Sequence, residues 1–301
     1  MLGIRGVARG MSVLVGAAAL TIAAVVVPGP ASAVAVPGFD HIVVVMFENI
    51  GYDTIIGTAS APYFNQLADT GALFTDSHAL THPSQPNYIA LFSGATQGVV
   101  DDSCPYDVTG VDNLGTRLAA AGHSFAGYAE SMPTPGYTAC TGSNGLYARK
   151  HNGWVNFDNV AASANQPLAA FPADYSRLPT ISFVNPNMCN DMHDCPVSAG
   201  DAWLRDNLGR YADWAKANRS LLVVTFDEDE GTAANHIPTI FFGAGVAPGK
   251  YGERIDHYSV LRTLEDAYGL APVAESAHAA PITDVWLPAP GGVPLPSTGS
   301  H

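Results

Sequence analysis

The chain has 301 residues, 47% of them apolar and only 13% charged, a balance that excludes a disordered chain and requires a sizeable core. Its 13 basic against 27 acidic residues give a formal charge of -14. That weighs against nucleic acid or an anionic membrane as the main partner, so any phosphate must be met locally.

Residues 1–33 carry Arg5 and Arg9, no acid, an apolar stretch over 11–27 and the small run Ala31-Ser32-Ala33. This reads as a secretory signal peptide cut after Ala33, since the apolar stretch is shorter than the ~20 residues of a spanning helix. No later segment is apolar enough for stable membrane insertion. Short Val/Ile/Phe-rich runs then predict buried strands at 41–47, 125–128, 180–184, 221–226 and 239–242. Apolar spacing and alanine content predict helices at 61–72, 113–121 and 202–218, the first two stopped by Gly71 and Gly122. A further stretch, 89–92, looks helical and places Ser84 near a helix start. Strands alternating with helices predict an α/β fold, a mostly parallel central sheet with helices on both faces. One domain over 34–286 is the simplest division. The Pro/Gly/Ser-rich residues 287–301 read as a flexible tail. The tail contains Leu295-Pro296-Ser297-Thr298-Gly299, the pattern of a sortase signal, but lacks the apolar span that should follow, and cell-wall attachment is not expected.

All four cysteines lie beyond residue 33, an even number that suits an oxidising, extracellular compartment. Short loops close at least entropic cost, which favours Cys104 with Cys140 and Cys189 with Cys195. The rival reading of Cys189 and Cys195 is a metal site, because His193 and two carboxylates stand between them.

Each predicted strand runs into polar residues: Glu48-Asn49, Glu130, Asn185-Pro186-Asn187 and Asp227-Glu228-Asp229-Glu230. Ligands of open α/β sheets bind outside the carboxyl ends of the strands. Acids and amides collected there repel one another unless a cation sits among them, although loops supply polar residues in any case. Glu48, Asn49, Asp227 and Glu228 are oxygen and amide donors for a hard or borderline divalent ion. Ser84, between two prolines, caps its helix in the commoner use of serine there; the alternative is a metal-activated nucleophile with helix N-terminal amides receiving the anion. His82, His151, His193, His236 and His257 stand in polar contexts, each able to bind phosphate or protonate a leaving group, each also an ordinary structural histidine.

Glu48-Asn49, the run from Thr81 to Tyr88, Asp191-Met192-His193-Asp194 with Gly200-Asp201-Ala202-Trp203, Asp227-Glu228-Asp229, and His257-Tyr258-Ser259 together resemble the phosphoesterase family of bacterial acid phosphatases and nonspecific phospholipases C. The resemblance runs from about residue 41 to about residue 270. It implies a fold related to alkaline phosphatases and sulfatases, one divalent metal ion of unspecified identity and a phosphoserine intermediate. The implied metal shell is Glu48, Asn49, Ser84, Asp227 and Glu228. Ser84 is the implied nucleophile, His82, His193 and His257 join it as catalytic residues, and His151 and His82 contact phosphate. Asp229-Glu230-Gly231 with Asn235-His236-Ile237 departs from the phospholipase pattern and tilts the reading toward the shorter phosphatases. The expectation is a secreted, metal-dependent acid phosphatase acting on a small phosphorylated substrate, with a phospholipase C-type phosphodiesterase or a noncatalytic surface protein as alternatives.

Overall fold

A computed structural model describes residues 35–288 together with residues 1–3 and 6. The expected signal peptide, apart from four residues, and most of the expected tail with its sortase-like motif lie outside the described residues. Contacts divide the chain into Met1–Ser32 and Ala33–His301, and the second unit carries everything below.

Its strands are β1 (His41–Phe47), β2 (Ala72–His78), β3 (Phe125–Ala129), β4 (Asn165–Pro167), β5 (Ile181–Asn185), β6 (Ser220–Phe226), β7 (Thr239–Gly243) and β8 (Gly249–Asp256). They form one sheet in the order β4-β3-β5-β1-β6-β7-β2-β8. Only β7 runs antiparallel to its neighbours, β6 and β2; every other pairing is parallel. The expected mostly parallel α/β sheet is the observed one, and all five predicted strands are present within one residue at either end. The central strands read as near-continuous apolar runs because both faces are covered. On β1, Ile42, Val44 and Met46 pack into one core layer while Val43, Val45 and Phe47 pack into the other, as the two-residue period of a strand requires.

The helices are α1 (Tyr52–Ile55), α2 (Pro62–Thr70), α3 (Ser84–Ser93), α4 (Leu114–Ala120), α5 (Val197–Ala217) and α6 (His257–Ala267). Ile89 and Leu91 of α3, Leu114 and Leu118 of α4 and Val260, Leu261 and Leu264 of α6 join the first layer. Phe64 and Leu67 of α2 and Leu204, Leu208 and Tyr211 of α5 join the second. The disulfides are Cys104–Cys140 and Cys189–Cys195, the sequence-local pairing, so no thiol is left there for a metal.

No side chain of its own caps α2. Buried Asp201 of α5 does so instead, accepting from Tyr63 N at 2.7 Å and Phe64 N at 3.0 Å. A carboxylate at a helix N-terminus meets both orphan amides and the positive end of the dipole. Asp201→Ala is expected to lower unfolding free energy by about 2 kcal/mol, read in urea, with activity of the folded enzyme unchanged.

Glu265 of α6 is fully buried, and burial pushes its carboxyl up to about 7. Oε1 accepts from Val273 N at 2.9 Å, and Oε2 lies 2.7 Å from Ser276 Oγ, itself 2.7 Å from Val273 O. One serine hydrogen cannot serve both oxygens; a proton on Glu265 completes the set. Since an unfolded glutamate titrates near ~4.3, the folded state holds this proton more tightly, and the stabilisation is full below that pH and lost as pH rises through the folded value. Glu265→Gln, whose amide nitrogen copies the protonated oxygen, is expected to flatten the decline in unfolding free energy between pH 5 and 8, where a single such group contributes at most roughly 1.4 kcal/mol per pH unit. Urea unfolding at both pH values checks it.

Candidate active site

β1 and β6 pair in parallel with Phe47 opposite Phe226, so Glu48 and Asp227 leave the sheet side by side at the carboxyl edge. Asp227 N donates to Phe47 O at 2.9 Å, and the chain turns at Asn49, whose φ of 53° lies in the left-handed region that Asn tolerates. This turn aims Asn49 N at Asp227 Oδ1 (2.9 Å) and Asn49 Nδ2 at Glu48 Oε2 (3.1 Å).

Ser84 is the first residue of α3; Pro83 stands at its N-cap and no side chain caps the helix. The reading of Ser84 as a helix cap is therefore corrected. Its Oγ lies 3.0 Å from Glu48 Oε2 and 3.0 Å from Glu228 Oε1. Buried Asn87, one turn on, fixes the preceding loop by accepting from Leu80 N and Thr81 N and donating to Thr81 O and Pro83 O. One of the α3 amides expected to receive the anion is already engaged: Gln85 N donates to Asp102 Oδ1 at 2.9 Å, and Asp102 Oδ2 accepts from Lys150 Nζ at 2.8 Å.

Glu48, Asp227, Glu228 and Ser84 are all buried. Burial, then the charges of Asp227 and Asp191, push the Glu48 carboxyl well up. Burial and the neighbouring Glu228 push Asp227 up to about 8. Glu48 Oε1 and Asp227 Oδ2 have no hydrogen-bond partner. Crowded buried carboxylates with orphaned oxygens, together with a hydroxyl and an amide, suit a divalent cation. All five residues of the expected shell are thus gathered in one place.

The histidines separate into distinct environments. His82 sits at the exposed rim with Nδ1 in contact with Glu228 Oε2 and Nε2 3.0 Å from Thr232 O. Burial lowers its pKa, but the Thr232 carbonyl and Glu228 outweigh that and leave it raised. His151 is buried, with Nδ1 3.0 Å from Asp191 Oδ2, Nε2 3.2 Å from Glu48 Oε1 and its ring stacked on Tyr88 at 5.5 Å. Burial, then Lys150, lowers its pKa well below the usual imidazole range. His193 is exposed, its Nδ1 2.7 Å from Asp194 Oδ1. Glu48, His151 and His193 each offer a ligand atom, all within 4.8 Å of one another, a second set that could hold a metal. His257 is buried, and its Nε2 meets the backbone oxygen of Asp227 at 2.9 Å. Burial lowers its pKa. A neutral, enclosed ring committed to a backbone carbonyl holds Asp227 in place, so the expectation of His257 as a proton-transferring catalytic residue is corrected. His151, locked between two carboxylates, likewise does not fit the expected open phosphate contact. His236 stands apart, stacked between Tyr52 and His78.

The phosphoesterase family model matches residues 58–271. The chain belongs to the phosphoesterase family. A Mycobacterium tuberculosis phosphatidylinositol-3-phosphatase is 51% identical to this phosphoesterase over 257 residues, covering 85% of each chain. An Aspergillus fumigatus acid phosphatase is 31% identical over 260 residues, 80% of this chain and 57% of that protein, so the chain spans little more than half of that fungal relative. Among solved structures, the lipoteichoic acid synthase LtaP from Listeria monocytogenes superposes with a TM-score of 0.58 at 10% identity, covering 83% of this chain and 77% of that one. A Vibrio parahaemolyticus protein in the alkaline phosphatase superfamily superposes with a TM-score of 0.56 at 14% identity, covering 81% and 71%. These two establish the alkaline-phosphatase-like fold. The phosphoesterase is a phosphoric ester hydrolase.

Sequence reasoning did not single out Asp191, Asn87 or Tyr88. Asp191 accepts from His193 N at 2.9 Å and meets His151; its position in the quoted Asp191-Met192-His193-Asp194 motif was the available signal. For Asn87 and Tyr88 the signal was their spacing of three and four residues from Ser84 on one helix.

Proposed function

We propose that this phosphoesterase is a secreted, metal-dependent acid phosphatase that hydrolyses phosphate monoesters through phosphoserine. The observation that carries the reading is the Ser84 hydroxyl held at 3.0 Å from each of two buried glutamates. Two acceptors compete for its one hydrogen, which favours loss of the proton as the oxygen attacks. Glu48, Asn49, Ser84, Asp227 and Glu228 would hold the ion, which supplies a Lewis acid for the phosphoryl oxygens and a lowered pKa for the serine hydroxyl.

Ser84 Oγ passes its proton to a flanking glutamate and forms a bond to phosphorus as the bond to the leaving alkoxide breaks; the glutamate returns that proton to Ser84 when phosphate is released. His82, with its raised pKa and rim position, carries a proton at mildly acidic pH and gives it to that alkoxide; it then takes one from the water that releases phosphate. His193 at the exposed rim contacts the phosphate or its leaving group, while His151 stays neutral and His257 positions Asp227. Two disulfides support an oxidising, extracellular setting. The 51% identical relative is named for a monoester on a lipid headgroup, which places phosphatidylinositol 3-phosphate in the test panel. Turnover of p-nitrophenyl phosphate and of that lipid, with kcat/KM rising from neutral toward mildly acidic pH, is the expected result. Preference for a choline phospholipid diester moves the reading to the phospholipase C type.

A further inference from the structure

Glu48, Asp227 and Glu228 lie buried at the floor of the site, and one divalent ion offsets at most two of their three charges. Near neutral pH a phosphate monoester brings about two more negative charges to the same place. It binds there against repulsion unless a further cation faces it. Lys150 is placed for that role. Its charge acts on Glu48 and Asp191, and the charges of Glu48 and Asp227 act on it. Its Nζ donates to Asp102 Oδ2 at 2.8 Å, while Asp102 Oδ1 accepts from Gln85 N at 2.9 Å. One carboxylate thus spans from the amide beside Ser84 to the ammonium. Both of its oxygens are taken by donors, whereas the ammonium has three N–H groups and gives one to Asp102. The lysine side chain keeps 20% of its surface exposed, so a ligand can reach it. The neighbouring Arg149 turns elsewhere, to Thr138 O, Tyr106 O and Asp107.

The segment that carries Lys150 is clamped to α3. A Cβ at Gly153 would collide with Tyr88 O, a clash that glycine avoids. The His151 ring stacks on Tyr88 at 5.5 Å, and Asn185 Nδ2 donates to His151 O. Since α3 begins with Ser84, the ammonium and the attacking hydroxyl are fixed to the same helix. That is the condition for holding a phosphoryl group against its nucleophile.

We infer that Lys150 is a substrate-binding residue that holds the phosphoryl oxygens of a dianionic monoester and sets a preference for monoesters over singly charged diesters, with Asp102 as its positioning residue. This role deepens the proposed phosphatase and rests on that reading for the identity of the anion. A diester lacks one of the two charges that the ammonium meets, so it gains less from the contact.

The test compares p-nitrophenyl phosphate with methyl p-nitrophenyl phosphate, which share a leaving group and differ in charge. The proteins are the wild type, Lys150→Met, Lys150→Arg and the double variant Asp102→Asn/Lys150→Met, and calorimetry follows the binding of inorganic phosphate to each. Lys150→Met is expected to lose about 10- to 100-fold in kcat/KM for the monoester, to lower the monoester-to-diester ratio about tenfold and to weaken phosphate binding in parallel. Lys150→Arg keeps the charge and should recover most of the ratio. Lys150→Gln keeps a donor for Asp102 and is expected to move the ratio the same way as Lys150→Met, so the readout survives if the methionine variant does not fold. If Lys150 served only to neutralise Asp102, the double variant would regain the wild-type ratio; the expected ratio is as low as in Lys150→Met. Equal losses on both esters, or recovery in the double variant, overturn the role of Lys150 and leave the phosphatase standing. Hydrolysis of neither ester, with phosphate binding that still depends on Lys150, removes the phosphatase and supports the lysine as the anion contact. Neither turnover nor Lys150-dependent binding overturns both.

Discussion

Ser84→Ala is expected to cut kcat for p-nitrophenyl phosphate by at least about a thousandfold, the order seen when a covalent nucleophile is removed. The loss should fall on kcat and kcat/KM together, because the missing bond exists only beyond the ground state. Misfolding is a poor rival explanation. Ser84 supplies no helix cap, and the substitution deletes one oxygen, so urea unfolding should move by no more than about 1 kcal/mol. An unchanged rate in a folded Ser84→Ala protein would remove Ser84 as the nucleophile.

The second large effect is expected on removal of the proposed ion. Stripped by a chelator, the phosphoesterase keeps Glu48, Asp227 and Glu228 buried together and is expected to lose activity entirely. Its stability should also become strongly pH-dependent. Burial, then Glu228, raises Asp227 to about 8, and burial raises Asp191 to about 7. Carboxyls with raised folded pKa values hold protons that the unfolded chain releases near ~3.9, so apo stability is greatest in acid and falls as pH rises through the folded values. An ion that displaces those protons should therefore stabilise more at pH 8 than at pH 5; at 100-fold excess over Kd the shift is about 2.7 kcal/mol. Thermal unfolding with and without Mn²⁺ or Zn²⁺ at the two pH values measures it. A larger ion effect at pH 5 contradicts the assignment.

The convergence of Glu48 and Asp227 was legible because a parallel sheet delivers its strand ends to one edge. Once 41–47 and 221–226 read as buried parallel strands, Glu48 and Asp227 had to emerge together. The edge of the sheet was not legible. β8 (Gly249–Asp256) carries two glycines and four charged residues on a half-exposed strand, and β2 (Ala72–His78) ends in the polar run Thr75-Asp76-Ser77-His78. Neither shows the apolar run or clean alternation that marks a strand. The capping box of Asp256 and Ser259 that opens α6 was a usable signal beside the quoted His257-Tyr258-Ser259.

Histidine roles depended on contacts across the chain. His193 and His257 each adjoin an aspartate in sequence, yet one lies at the rim and the other is sealed beneath Asp227. Asp201 stood in a quoted motif as though part of the chemistry, and it caps α2 from 138 residues away. No local pattern encodes such pairings.

The most direct measurement is acid quench of the enzyme during turnover of a ³²P-labelled monoester, followed by peptide mapping. Stable label on the peptide containing Ser84, absent in Ser84→Ala, is the predicted result. Label on a histidine peptide, or none at any quench time while phosphate is still released in a pre-steady-state burst, contradicts Ser84 as the nucleophile.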